Sequence, residues 1–303
     1  MGCLILNDYK ELDHYKKGRK EKHWLEKDGV NYLFKTGASN YEIWAELFAS
    51  EIGKQCGFNV AEYDLAFYRG QYGVVTKSFL KNNELIISGE SIIKFYKTIT
   101  LENNIADEIG NYNSIENIIM AMSLFCGLNN CTDVLDDLIK MWCFDGLLME
   151  SDRNETNWSI IQNGNQYRLA PIYDCSTMAR MNNNIRDLLN GARSYGDIAR
   201  MIDNITYQLT FHKDDEPNTF LPYFEEFCRK YADKSDEIMK VFQKIDISKA
   251  IETIENKINT GITDEQRIEF PWDAHIWLEK TINFRLNDMI NIYNNSKNKR
   301  KTL

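Results

Sequence analysis

Between Glu150 and Ser176 the chain reads Glu-Ser-Asp-Arg-Asn-Glu-Thr-Asn-Trp, then a short hairpin pattern, then Leu-Ala-Pro-Ile-Tyr-Asp-Cys-Ser. An Asp is followed five residues later by an Asn, and a second Asp comes after a strand-turn-strand pattern. Phosphoryl transfer from a nucleotide needs one carboxylate to orient the attacking hydroxyl. It also needs an amide oxygen and another carboxylate to hold magnesium over the phosphates. Asp152, Asn157 and Asp174 supply those oxygens in that order. Asp152 and Asn157 alone also read as an Asx-rich turn ending a helix. Asp174 shifts the balance. It follows the apolar run Leu169-Ala170-Pro171-Ile172-Tyr173, where a strand exits into a loop. A buried strand end is a costly place for an unpaired carboxylate, and a metal offsets that cost.

A cation for the nucleotide's α- and β-phosphates is available upstream. Lys35 ends the strand pattern Val30-Asn31-Tyr32-Leu33-Phe34, and the next helix carries Glu42 and Glu46 one turn apart. Glu46, deeper in the helix and better held by packing, is the preferred anchor for Lys35, with Glu42 second. The segment Lys17-Gly18-Arg19-Lys20-Glu21-Lys22-His23-Trp24 precedes that strand at the interval of a phosphate-covering turn. It has a single glycine, so Gly18 with the cations Arg19 and Lys22 would have to replace glycine spacing, since phosphates respond to both amides and cations. Plain surface charge is the competing reading for both cations.

Composition narrows the alternatives. A chain of 303 residues, 43% hydrophobic and 12% aromatic with four prolines, is long enough for two lobes with packed cores. A formal charge of −9 disfavours non-specific nucleic-acid binding. The local positive charge at Lys297, Lys299, Arg300 and Lys301 reads as a frayed, solvated tail. The seven cysteines form no CxxC pair, which fits reduced thiols in the cytoplasm and argues against zinc. No run of eighteen apolar residues predicts a membrane span, and the N-terminus lacks a secretory pattern. Gly2-Cys3 matches only part of an acylation signal, with Leu6 where Ser or Thr is wanted. Ser176 has no nearby His and no Gly-x-Ser-x-Gly turn, so a hydrolase triad lacks support.

The predicted elements are a hairpin through Asp28-Gly29, a helix from Ser39 or Asn40 to Cys56 ended by Gly57, and strands at 64–67 and 73–79. Ile43, Trp44, Leu47, Phe48 and Ile52 form that helix's buried face. Helices follow at 115–125, 132–149, 193–209, 221–242, 247–259 and 272–293. They are interrupted by strands at 158–161 and 167–172 around Asn163-Gly164. The fold class expected is α+β and two-lobed, protein-kinase-like. Residues 1–80 make a small β-rich, nucleotide-clamping N-lobe with one helix, and 81–303 a larger helical C-lobe carrying the catalytic loop and metal Asp.

Together these residues resemble the HipA-like serine/threonine kinases, specifically the HipA C-terminal domain. That family's pattern runs Gly-x-x-x-Lys, a strand Lys, Asp-Arg-His-x-x-Asn, and Ala-Pro-x-Tyr-Asp. The matching residues are Gly18 with Lys22, Lys35, Asp152-Arg153 with Asn157, and Ala170-Pro171-Ile172-Tyr173-Asp174. The stretch Val75-Thr76-Lys77-Ser78-Phe79-Leu80 looks like the family's hinge strand, implying adenine binding through Ser78, Phe79 and Leu80. The resemblance covers roughly residues 15–290 and is most specific at 144–178. It implies ATP and magnesium as cofactors, Asp152 as base, Asn157 and Asp174 as magnesium ligands, and Lys35 on the phosphates. It further implies a short stand-alone kinase domain without the family's extra N-terminal subdomain. Family members are toxins that phosphorylate translation proteins such as aminoacyl-tRNA synthetases and are restrained by a DNA-binding antitoxin. Here Asn154 stands where His is usual, Cys175-Ser176 replaces the usual residues after the metal Asp, and the Gly18 turn has no clear serine for inhibitory autophosphorylation. The expected activity is Mg-ATP-dependent phosphorylation of serine or threonine on a protein. A nucleotide-binding pseudokinase acting as an interaction module and a small-molecule phosphotransferase are the alternatives.

Overall fold

The computed structural model describes residues 3–12, 22–103, 110–127, 132–192, 194–214, 219–259 and 271–301. Its strands are β1 (Leu4–Ile5), β2 (Lys10–Glu11), β3 (Lys22–Lys27), β4 (Val30–Lys35), β5 (Asp64–Tyr68), β6 (Gln71–Lys77), β7 (Leu85–Ser88), β8 (Ser159–Asn163) and β9 (Gln166–Leu169). The helices are α1 (Asn40–Cys56), α2 (Gly89–Glu102), α3 (Ile115–Cys126), α4 (Thr132–Leu148), α5 (Ile185–Gly191), α6 (Tyr195–Asp203), α7 (Phe220–Lys230), α8 (Ala232–Phe242), α9 (Ile247–Asn259) and α10 (Trp272–Lys301). The fold is mixed α+β. Among the described residues no helix is long and apolar enough to cross a membrane.

Contacts divide the chain into two compact units: Met1–Phe79 with Asp174–Ala199 and Lys244–Asn283, and Leu80–Tyr173 with Arg200–Gln243 and Phe284–Leu303. The division at residue 80 suggested by the sequence follows the chain, whereas these units follow contacts, which return two later stretches to the first unit.

The first unit is built on a six-stranded sheet in the order β1-β5-β6-β4-β3-β2. Its β3–β4 hairpin closes at Lys27↔Val30, with Asp28 at φ 53° and Gly29 at φ 76°. Two left-handed residues match the twist of paired strands, which is why an Asp-Gly pair turns there. Gly73 on β6 lies so close to β4 that a Cβ would fall 2.3 Å from the Lys35 carbonyl oxygen. Helix α1 buries Ile43, Trp44, Leu47, Phe48 and Ile52 and ends at Gly57, whose φ of 65° lets Phe58 N–H return to Gly53 O. Ser39 occupies the N-cap position without a side-chain bond; Glu42 Oε2 instead accepts the Ala38 N–H at 3.0 Å.

The second unit contains the three-stranded sheet β7-β8-β9 and helices including α2, α3, α4, α7 and α8. Trp142 of α4 anchors its core, with ring centroids 4.7 Å from Phe220 and 4.9 Å from Phe211. Several expected boundaries move. The strand predicted at 167–172 ends at Leu169, and the helix predicted at 221–242 breaks at Tyr231 (φ −119°, ψ 61°) into α7 and α8. The helix predicted at 193–209 ends at Asp203, and 204–209 are not helical. The expected frayed tail is helical: α10 runs to Lys301, and Arg300 pairs with Asp236 at 3.2 Å.

Candidate active site

The residues singled out from the sequence fall in both units. In the first, β4 delivers Lys35 to a buried position, 6% exposed, where its ammonium pairs with Glu46 of α1. The same ammonium lies 3.2 Å from Asp174 Oδ1 and 5.0 Å from the Tyr63 ring centre. Glu46 is 2% exposed, and its other oxygen accepts the Cys175 N–H at 3.2 Å. Glu46 therefore holds both the lysine and the backbone beside Asp174. Glu42, the second candidate anchor, is also buried but bonds the Ala38 amide.

Burial alone would lower the Lys35 ammonium, but the Asp174 and Glu46 carboxylates outweigh it and hold it well above the ordinary lysine value. Burial, helped by Asp174, pushes the Glu46 carboxyl up against the pull of Lys35. Both shifts have one origin: a single ammonium faces two carboxylates in a place with little water. Lys35 stays charged, and the excess negative charge favours an added cation. Asp174 itself takes φ 58°, a left-handed conformation that Asp tolerates better than most residues.

Lys22 pairs with Lys35 across β3 and β4, which puts the two cations on one face of the sheet. Gly18 and Arg19 lie outside the described residues. Ser78, Phe79 and Leu80 follow β6 and are partly exposed. The Ser78 amide is donated to Asn31 O at 2.8 Å, so it serves the sheet.

In the second unit α4 ends at Leu148, Met149 turns at φ 57°, and the loop bearing Asp152 begins. Glu150, 1% exposed, accepts the Asp152 N–H at 2.8 Å. Asp152 Oδ1 accepts from Asn154 Nδ2 at 2.9 Å and from Gln208 Nε2 at 3.2 Å. Asn157 Nδ2 donates to Asp152 O at 2.6 Å and lies 3.3 Å from Asp152 Oδ2. This fixes the Asn157 amide so that its Oδ1 is the end turned from Asp152, where Thr156 Oγ1 lies at 3.3 Å. Asn154 Oδ1 meanwhile accepts from Thr156 N at 2.9 Å, closing an Asx turn. The turn reading and the catalytic reading thus describe one loop.

Arg153 holds that loop. It is 1% exposed and donates to both oxygens of Asp145 at 2.9 Å. Its Nη1 reaches Asn157 O at 2.6 Å and Tyr173 O at 2.5 Å, tying together the backbones of the Asn and of the residue before Asp174. Burial pushes the Asp145 carboxyl up, opposed by Arg153. Asp145 and Gln208 were not singled out from the sequence. An acid within the otherwise apolar run from Trp142 to Leu148 was the available signal for Asp145.

The oxygen donors suit magnesium, which takes one or two protein ligands and completes its shell with phosphates and water. Among the described residues no group of three or more His, Cys, Asp or Glu is arranged to hold a metal by itself. Asp174 meets the requirement on charge, and Asn157 presents an amide oxygen of fixed orientation.

The family model for the HipA-like C-terminal domain matches residues 6–257. No curated protein matches the chain. Among solved structures, the Helicobacter pylori proinflammatory kinase CtkA is 16% identical with a TM-score of 0.74, over 98% of this chain and 99% of that one. HipA of Shewanella oneidensis MR-1, solved with HipB and operator DNA, is 13% identical with a TM-score of 0.54, over 94% of this chain and 65% of that one. At those identities the likeness is one of fold.

Proposed function

Because the chain belongs to the HipA-like C-terminal domain family, we propose that it is a protein serine/threonine kinase using ATP and magnesium. The observation that carries this reading is the contact of the buried Lys35 with both the buried Glu46 and the partly exposed Asp174. Burying the Lys35–Glu46 pair costs several kcal/mol per ion unless geometry and further bonds offset it, and Asp174, partly exposed, adds a second carboxylate. Strongly coupled buried charges of this kind concentrate at functional sites.

In this reading Lys35, kept charged by its two carboxylates, binds the nucleotide phosphates, and Lys22 on the same sheet face adds a second cation. Glu46 fixes the Lys35 ammonium. Asp152, held by neutral amides, accepts a hydrogen bond from the substrate hydroxyl and takes its proton late in the transfer. Asn157 and Asp174 would be the magnesium ligands. The ion would neutralise charge developing on the transferred phosphoryl group. Ser78, Phe79 and Leu80 are proposed to meet adenine. Gly18 and Arg19 are proposed to cover the phosphates. A protein substrate in translation, an antitoxin partner and a cytoplasmic location complete the proposal on family grounds.

The test is incubation with γ-labelled ATP and magnesium in a soluble protein extract, beside Asp152→Asn. Label in protein, lost in the variant, supports the kinase. Label in a small metabolite instead identifies a small-molecule phosphotransferase. Nucleotide binding with no transfer identifies a pseudokinase.

A further inference from the structure

We infer that Gln208 is a positioning residue for Asp152, an inference that rests on the proposed role of Asp152 as base. After α6 the chain alternates in burial, with Ile205, Tyr207 and Leu209 inward and Thr206 and Gln208 outward. The inward row sets the register, and hydrogen bonds on both sides lock it. Gln208 N–H donates to Ser151 O at 3.3 Å, and Thr210 N–H donates to Asn113 O at 3.2 Å. Asn113 Nδ2 donates at 3.0 Å both to Gln208 O and to Arg153 O. The backbone of Gln208 is therefore tied to the residues on either side of Asp152 in sequence.

From that fixed backbone the Gln208 amide reaches Asp152 Oδ1 at 3.2 Å, beside the Asn154 amide at 2.9 Å on the same oxygen. A carboxylate left alone rotates about its last torsion and offers either oxygen. Two donors on Oδ1 hold its plane and reserve Oδ2, near the Asn157 amide, as the edge for an incoming hydroxyl. All three donors are uncharged, so they orient the base without cancelling its charge. Gln208 is exposed and fills no core space. Its removal accordingly acts on the base and leaves the fold alone.

The experiment measures phosphate release from γ-labelled Mg-ATP, and label transfer to a soluble protein extract, for four variants. These are Gln208→Leu, which keeps the length but loses the donor, Gln208→Lys, which offers a donor that carries a charge, Asp152→Asn, and the Asp152→Asn/Gln208→Leu double variant. Gln208→Leu is expected to lower kcat about tenfold with KM for ATP within about twofold. Its melting temperature should match that of the parent. Gln208→Lys should stay as slow as Gln208→Leu, because its cation cancels charge on the base, and the double variant should be no slower than Asp152→Asn alone. Full activity in Gln208→Leu, or a loss that adds in full to that of Asp152→Asn, overturns the inference. The premise has its own readout. Asp152→Asn turning over like the parent removes the base role and this inference with it. An inactive Asp152→Asn beside a fully active Gln208→Leu removes the positioning role alone.

Discussion

Arg153 grips Asp145 through two parallel hydrogen bonds of 2.9 Å, with both side chains almost fully buried. The bidentate fit uses the guanidinium's planar geometry and leaves Nη1 for the carbonyls of Asn157 and Tyr173. One buried arginine thus supports the loop that carries Asp152 and Asn157, and the residue that leads into Asp174. Removing either partner strands a charge. Asp145→Leu is expected to cost about 3–5 kcal/mol in urea denaturation. The double variant Asp145→Leu/Arg153→Met should recover much of that stability, because two buried charges disappear together. It should stay inactive, since the Asn157 and Tyr173 carbonyls have lost their donor. Recovery of activity along with stability would contradict this account of Arg153.

Gly73 sits where the backbone of β4 passes closest. Adding a methyl group would place it 2.3 Å from the Lys35 carbonyl oxygen. Gly73→Ala should destabilise by about 1–3 kcal/mol through overpacking. It should also raise KM for ATP by displacing Lys35. Denaturation and steady-state kinetics on one preparation measure both effects.

Trp277, fully buried on α10, donates its indole N–H to Ala179 O at 2.6 Å. Ala179 and Arg180 hold left-handed φ values of 46° and 61° in the stretch that follows Asp174. A tertiary hydrogen bond helps such a backbone persist. Trp277→Phe keeps most of the ring and removes the donor, so a loss of about 1–3 kcal/mol is expected in thermal denaturation.

A pH effect follows from Glu51. Burial works to raise its carboxyl, but Lys257 at 2.7 Å and Lys54 at 3.1 Å outweigh burial and hold it below the ordinary value of 4.5. A depressed carboxyl contributes stability that is complete above the unfolded value and lost as pH falls through the folded one. The stability gap between the parent and Glu51→Gln should therefore be widest near neutrality and close between roughly pH 5 and pH 3. A gap that stays constant over that window would contradict the assignment.

Local chemistry made much of the fold legible. Asp28-Gly29 turns a hairpin as expected, the second hairpin turns one residue later than expected at Gly164-Asn165, and the apolar spacing on α1 with Gly57 after it placed that helix at 40–56. Where two periodicities competed, the reading failed. Ile198, Ile202, Ile205 and Leu209 recur at helical intervals and are all buried, yet the last two belong to a non-helical segment whose alternation in burial is carried by Ile205, Tyr207 and Leu209. Helix α2 was missed because Gly89 opens it, a residue that usually argues against a helix. Its N-cap, Ser88, accepts the Ser91 amide and supplies the start. The candidate oxygens of Asp152, Asn157 and Asp174 stand out because their order in sequence is distinctive. Asp145 and Gln208 were not, because each acts through contacts made only in three dimensions.

The most direct test is the single-turnover rate of γ-phosphoryl transfer from Mg-ATP, measured for the parent and for Asp152→Asn under conditions where both bind nucleotide. The account predicts unchanged ATP affinity and a rate lower by about a hundredfold or more in the variant. Equal rates in the two proteins would contradict it.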